Sequence, residues 1–206
     1  MPDTVPYSWL ALGDSYTIGE ALPLHECYPY QALQLLRRAG YRFSAPEIIA
    51  RTGWTTGELQ EHIHQTQFQP PYDIVSLLIG VNNQYRGYSP DGYRTEFESL
   101  LQQALSFSGN RPRRVFVLSI PDWGATPFAV GRPGGPQAIN TAIDLFNGHN
   151  KTIADQYGVH YLNITPGSRE AATDHSLLAA DQLHYSGKEY GRWAGVLVNA
   201  IKDALK

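Results

Sequence analysis

The stretch Ile74-Val75-Ser76-Leu77-Leu78-Ile79, followed at once by Gly80-Val81-Asn82-Asn83, decides the fold class. A nearly continuous apolar run of this kind is expected of a central strand buried on both faces of a parallel sheet. Val115 to Ile120 repeats the pattern and ends in Pro121-Asp122-Trp123-Gly124. Outward from these two, the runs Ser8 to Leu12, Glu47 to Ala50 and Val159 to Ile164 alternate with longer stretches of helical period. Strand and helix in alternation predict an α/β protein: a three-layer α/β/α sandwich around a flavodoxin-like, five-stranded parallel sheet.

Two helices are marked with particular clarity. Phe97, Leu100, Leu101, Ala104 and Leu105 fall at the spacing of one amphipathic stripe. Ser89-Pro90 supplies its start, a hydroxyl N-cap followed by proline at the first helical position. In the last helix Trp193, Val196, Leu197, Ala200 and Ile201 form the stripe, and Ser186 with Glu189 reads as a capping box. The one linker-like stretch, Gly131-Arg132-Pro133-Gly134-Gly135-Pro136, reads as part of a flap. A domain boundary there would leave too little chain on its C-terminal side to bury a core, so residues 1–206 are expected to form one domain.

Composition excludes several classes of function. With 206 residues, 42% hydrophobic and 17% charged, the chain is globular in character. A formal net charge of -3 provides no basic field for phosphate backbones, so no nucleic-acid partner is expected. Arg37-Arg38 and the group Arg111, Arg113 and Arg114 are read as solvated helix ends. The single cysteine, Cys27, allows neither an intramolecular disulfide nor a thiolate-rich metal site. His62 and His64 lack companions at ligand spacing and are read as a solvated helix face, so no metal is expected. Met1-Pro2-Asp3-Thr4-Val5-Pro6 has no positive n-region or apolar h-region, and no apolar run is long enough to span a bilayer. The expectation is a cytoplasmic protein without stable membrane insertion, unless a leader was trimmed from the sequence; nothing in it addresses oligomeric state.

In open parallel α/β sheets, ligands bind beyond the carboxyl ends of the strands. In this chain those positions carry Gly13-Asp14-Ser15-Tyr16, Thr52-Gly53-Trp54, Gly80-Val81-Asn82-Asn83 and Pro121-Asp122-Trp123-Gly124, with Asp181-Gln182-Leu183-His184 before the last helix. Each fragment alone is an ordinary turn or loop sequence. Together, and in this order, Gly13-Asp14-Ser15, Gly53, Gly80-x-Asn82 and Asp181-x-x-His184 resemble the four blocks of the SGNH, or GDSL, hydrolase family. The resemblance runs from Leu10 to about Tyr190.

A serine hydroxyl becomes a useful nucleophile when a base takes its proton, and an imidazole held in one tautomer by a carboxylate is a common base. Ser15, His184 and Asp181 fit those roles, and three residues separate the acid from the base in one loop. The resemblance implies that the backbone amides of Ser15 and Gly53 and the side-chain amide of Asn82 form the oxyanion hole. No cofactor is required. The chain departs from the family where Asn83 replaces an acid, Gln182 a small residue and Tyr185 a proline, which bears on pocket shape rather than mechanism. Asp14 is read as a helix cap, and the rival pair Asp174-His175 is set aside for want of a positioning helix. Tyr16, Trp54, Asn83, Tyr85, Trp123 and Phe128 neighbour the blocks as possible substrate-pocket residues, ordinary packing being equally open to the aromatic ones.

The expected function is hydrolysis of a small-molecule carboxylic ester, short-chain or lysophospholipid-like, through an acyl-serine intermediate. A carbohydrate O-acetylesterase or a thioesterase would use the same three side chains, and transfer to another alcohol stays open. Two non-enzymatic readings stand beside it. A flavodoxin-like binding module lacks a phosphate-cradling glycine loop after the first strand. A catalytically silent carbohydrate- or partner-binding relative would not need all three of Ser15, His184 and Asp181.

Overall fold

A computed structural model describes residues 5–206; residues 1–4 of the N-terminal stretch read above lie outside the described residues. In chain order its elements are β1 (Trp9–Asp14), α1 (Ser15–Ile18), α2 (Tyr28–Arg38), β2 (Glu47–Arg51), α3 (Thr56–Gln65), β3 (Ile74–Leu78), α4 (Val81–Tyr85), α5 (Pro90–Phe107), β4 (Val115–Leu118), α6 (Gly135–Tyr157), β5 (His160–Leu162), α7 (Thr165–Ser168) and α8 (Gly187–Ala204). The sheet is parallel throughout in the order β2-β1-β3-β4-β5. Because the chain starts near the middle and moves outward both ways, the C-terminal ends of β1 and β3 lie side by side, with Gly13 opposite Leu78. That reversal point is where an open α/β sheet leaves a crevice.

The apolar runs behave as their composition requires. Every residue of β1, β3 and β4 is buried, while edge strand β2 is half-exposed. Helix pairings divide the cover into two layers, α2 with α8 and α3 with α5 and α6. Phe97, Leu100, Leu101 and Ala104 of α5 are fully buried, as are Trp193, Leu197 and Ile201 of α8. Burying a side chain of this size is worth roughly 1.5–3 kcal/mol, so these two stripes fasten the outer layers to the sheet.

Three local expectations need correction. Val196 is 44% exposed and stands outside the α8 stripe. Ser186 does sit at the N-cap of α8 but makes no capping bond; its hydroxyl donates to the Ser176 carbonyl at 2.8 Å. Glu189 is turned into the protein, where the Trp193 indole donates to it at 2.8 Å, so the S-x-x-E spacing is present without the box. Strand β4 also ends before Ser119. There the Ser119 amide still donates to the Leu162 carbonyl at 2.9 Å, while its hydroxyl accepts from the amides of Ile164 and Thr165 at 2.8 and 3.1 Å, a side-chain bridge to the start of α7. By contrast, Ser89 caps α5 as its sequence suggests, accepting from the Gly92 amide at 3.1 Å.

Candidate active site

Ser15 is the first residue after β1 and the first of α1, a strand-to-helix turn that lifts its side chain to the sheet's carboxyl rim. Asp14 fixes the turn. Its Oδ1 accepts from the Tyr16 amide at 3.0 Å, the helix cap its sequence position suggests. The carboxyl is 1% exposed and its Oδ2 has no hydrogen-bond partner. Burial outweighs the amide bond and pushes its pKa to about 7.

His184 reaches Ser15 from a loop held at both ends. The Ala179 amide donates to the His184 carbonyl at 2.8 Å, and Leu178 bridges Tyr185 in antiparallel fashion. Within the loop, Asp181 Oδ1 accepts from the amides of Leu183 and His184 at 3.0 and 2.9 Å. Its Oδ2 lies 2.6 Å from His184 Nδ1, and His184 Nε2 lies 3.0 Å from Ser15 Oγ. This chain of contacts assigns the proton to Nδ1 and leaves Nε2 to accept from the hydroxyl. Partial burial works against ionisation of Asp181, but the His184 ring and the two amides prevail and hold its carboxyl below the usual range. Gln182 adopts φ +59, the left-handed region.

Tyr185, in place of a proline, buries its ring and donates from its hydroxyl to the Asp122 carbonyl at 2.9 Å, tying the histidine loop to the loop after β4. Asp122 is itself fully buried. Burial raises its pKa against the pull of the Arg169 guanidinium, whose Nε lies 2.7 Å from the carboxylate. Tyr16 packs edge-on to the His184 ring at 5.6 Å and to Trp193 at 6.2 Å, so the base rests on buried aromatic side chains.

Asn82 and Gly53 complete the rim. Gly80, at φ +128, turns the chain from β3 into α4, and a Cβ there would collide with the Tyr93 ring and Ile120. In the first turn of α4, the Asn82 amide nitrogen donates to the Trp54 carbonyl at 2.9 Å and keeps a second N–H for another acceptor. Gly53, at φ +84, has its carbonyl held by Arg86 Nη2 at 2.6 Å, and Arg86 pairs with Glu58 at 3.2 Å. The same Glu58 forms a capping box with Thr55 at the start of α3. Arg86 therefore joins the segments carrying Gly53 and Asn82, a role with no motif to mark it in the sequence.

Ser15, Asn82 and His184 open onto a cavity of about 170 Å³. Tyr16, Tyr85, Trp123 and Phe128 line it, together with Val81 and Leu183, which no motif marks in the sequence. The Trp123 ring is fixed by its indole nitrogen, which donates to Gln84 at 2.7 Å, and meets Tyr85 edge-on at 5.5 Å. Two expected pocket residues lie elsewhere. Asn83 is fully buried and turned from the cavity: its Oδ1 accepts from the Thr56 amide at 3.0 Å and its Nδ2 donates to the Thr56 hydroxyl at 2.6 Å. Trp54 lines a neighbouring groove, its ring 4.7 Å from that of exposed His62.

Asp174 caps the Ser176 amide at 3.0 Å and pairs with Lys188 at 2.9 Å, a structural arrangement away from the cavity. Among the described residues no group of three or more His, Cys, Asp or Glu is placed to hold a metal ion, and no helix is long and apolar enough to cross a membrane.

The site can be set beside known proteins. The GDSL-like Lipase/Acylhydrolase family matches residues 11–192. No curated protein sequence matches the chain. Among solved structures it is similar to TesA (17% identity, 96% of this chain and 99% of that one, TM-score 0.75) and to the lipase/acylhydrolase from Enterococcus faecalis (19%, 96% and 96%, TM-score 0.74). It is also similar to Axe2, an acetylxylan esterase from Geobacillus stearothermophilus (17%, 98% and 96%, TM-score 0.71). At these identities the structural likeness speaks for the shared fold, and the family match for descent. The chain belongs to the GDSL-like lipase/acylhydrolase family and is a serine ester hydrolase of the SGNH type.

Proposed function

We propose that the protein hydrolyses small carboxylic esters with a short acyl group, using Ser15 as nucleophile, His184 as base and Asp181 as the carboxylate that orients it. The observation that carries this reading is the His184 ring bonded at both ends, 2.6 Å to Asp181 and 3.0 Å to Ser15. In the first half-reaction Ser15 Oγ bonds to the acyl carbon as its proton passes to Nε2. Collapse of the tetrahedral species expels the alcohol, which takes the proton from Nε2. Water then attacks the acyl-Ser15 ester with His184 again as base, releasing the acid and restoring the hydroxyl. In this reading the oxyanion meets the amides of Ser15 and Gly53 and the second N–H of Asn82; the Arg86 bond to the Gly53 carbonyl and the Asn82 bond to the Trp54 carbonyl support donors fixed in advance.

The cavity supports the short acyl group. At about 170 Å³ it falls below the ~300–1,000 Å³ typical of pockets that enclose drug-sized ligands, and its walls are largely aromatic. Hydrolysis of p-nitrophenyl esters from acetate to laurate, beside Ser15→Ala, tests the proposal. The expected result is activity concentrated in the shorter esters and lowered by about 10⁶ in the variant. Equal turnover by Ser15→Ala overturns the assignment of Ser15.

A further inference from the structure

Arg132 stands apart from the other arginines around the site. Arg86 is paired with Glu58, and Arg169 with both Asp122 and Asp144. The Arg132 guanidinium lies 4.4 Å from the Phe128 ring centre and 5.4 Å from that of Tyr85, and among the described residues no carboxylate approaches it within ion-pair distance. Both rings line the cavity and are partly exposed, 36% for Phe128 and 47% for Tyr85. The half-buried cation thus sits on the outer edge of the aromatic wall. Of the carboxylates at the site, Asp181 is committed to His184 and Asp14 to the Tyr16 amide. A guanidinium stacked on aromatic rings keeps its N–H edge free for an anion, and in a partly desolvated setting it binds carboxylate or phosphate through two parallel bonds.

We propose that Arg132 selects esters carrying an anionic group, a carboxylate or phosphate, at the Tyr85–Phe128 edge of the cavity. This rests on the ester-hydrolase reading above and names the substrate class of the same site. The rings hold the uncharged part of the substrate, and the guanidinium meets the charge just beyond them. The charge sits either at the far end of the acyl group or on the leaving alcohol.

Two matched pairs of esters distinguish these sources: 4-nitrophenyl hexanoate against the mono-4-nitrophenyl ester of adipic acid, and 4-acetoxybenzamide against 4-acetoxybenzoate. Wild type, Arg132→Gln and Arg132→Lys are compared by kcat/KM with and without added salt. In one pair the wild type is expected to favour the anionic member, and Arg132→Gln to lower that preference about tenfold while leaving the neutral member within about twofold. Arg132→Lys keeps part of the preference, and salt erodes it in wild type more than in Arg132→Gln. Equal loss on both members of each pair would show that Arg132 only packs against the rings, and it overturns the proposal. So does a wild type with no salt-sensitive preference in either pair. If Ser15→Ala and wild type cleave the neutral esters equally slowly, the ester-hydrolase reading itself has failed, and the selection proposal falls with it.

Discussion

Asp14 offers a perturbation whose magnitude follows from the structure. The carboxyl is 1% exposed, one oxygen holds the Tyr16 amide, and the other has no partner. Its pKa lies at about 7 against an ordinary 3.8. Between those two values the native state binds a proton that the unfolded chain has released. Stability from this group is therefore complete below the unfolded pKa and is lost as pH rises through the folded one. The slope is about 1.4 kcal/mol per pH unit, and roughly two units of the window lie above pH 5, so the wild type loses about 3 kcal/mol between pH 5 and pH 8 from Asp14 alone. Asp14→Asn keeps an oxygen for the Tyr16 amide and cannot ionise. Its stability relative to wild type should rise by about 3 kcal/mol across the same interval, whatever its offset at pH 5. Urea unfolding followed by tryptophan fluorescence at pH 5, 6, 7 and 8 measures this, and the difference between the two proteins cancels titrations distant from Asp14. A difference that stays flat with pH refutes the reasoning: the buried carboxyl would then have found a partner or a route to water.

Two further substitutions probe the rim. Asn82→Ala removes one oxyanion donor and should lower kcat by about 10²–10³ with little change in KM, as read from initial rates on a short-chain p-nitrophenyl ester; a rise in KM at unchanged kcat would place Asn82 in ground-state binding instead. Arg86→Gln releases the Gly53 carbonyl and is expected to cost about tenfold in kcat at nearly constant KM and with an unchanged circular dichroism spectrum, the mark of a positioning residue. Arg86→Lys should restore part of that rate, since a single N–H reaching Gly53 suffices to hold the peptide.

Much of the site was legible because a parallel sheet brings every strand's carboxyl end to one rim. The apolar runs at β1 and β3 put Ser15 and Asn82 on that rim whatever their separation in the chain, and the strand order makes them neighbours on it. Asp181 and His184 were legible for a different reason: the loop between them is so short that an Asx turn can set the ring against the carboxylate. What could not be read was the direction of neighbouring side chains. Asn82 and Asn83 are adjacent in α4, and successive helical residues point about 100° apart. One therefore reaches the rim while the other is buried against Thr56. Trp54 was misplaced likewise, because φ +84 at Gly53 turns the following residue toward α3.

The sequence by itself determined the order of elements and most of the buried stripes, which depend on local periodicity. The groups expected to meet at Ser15 were legible from their place after the strands together with the resemblance to the SGNH hydrolases. Only the tertiary structure decided which groups hold them there: Arg86 on Gly53, Tyr185 on Asp122, Arg132 over Tyr85 and Phe128, and an Asp14 left without a partner for one oxygen. Most of these contacts join segments 30 or more residues apart, and Arg132 over Phe128 and the state of Asp14 likewise depend on what packs around them. Whether such a side chain is buried, paired or free depends on three-dimensional neighbours that no spacing in the chain encodes.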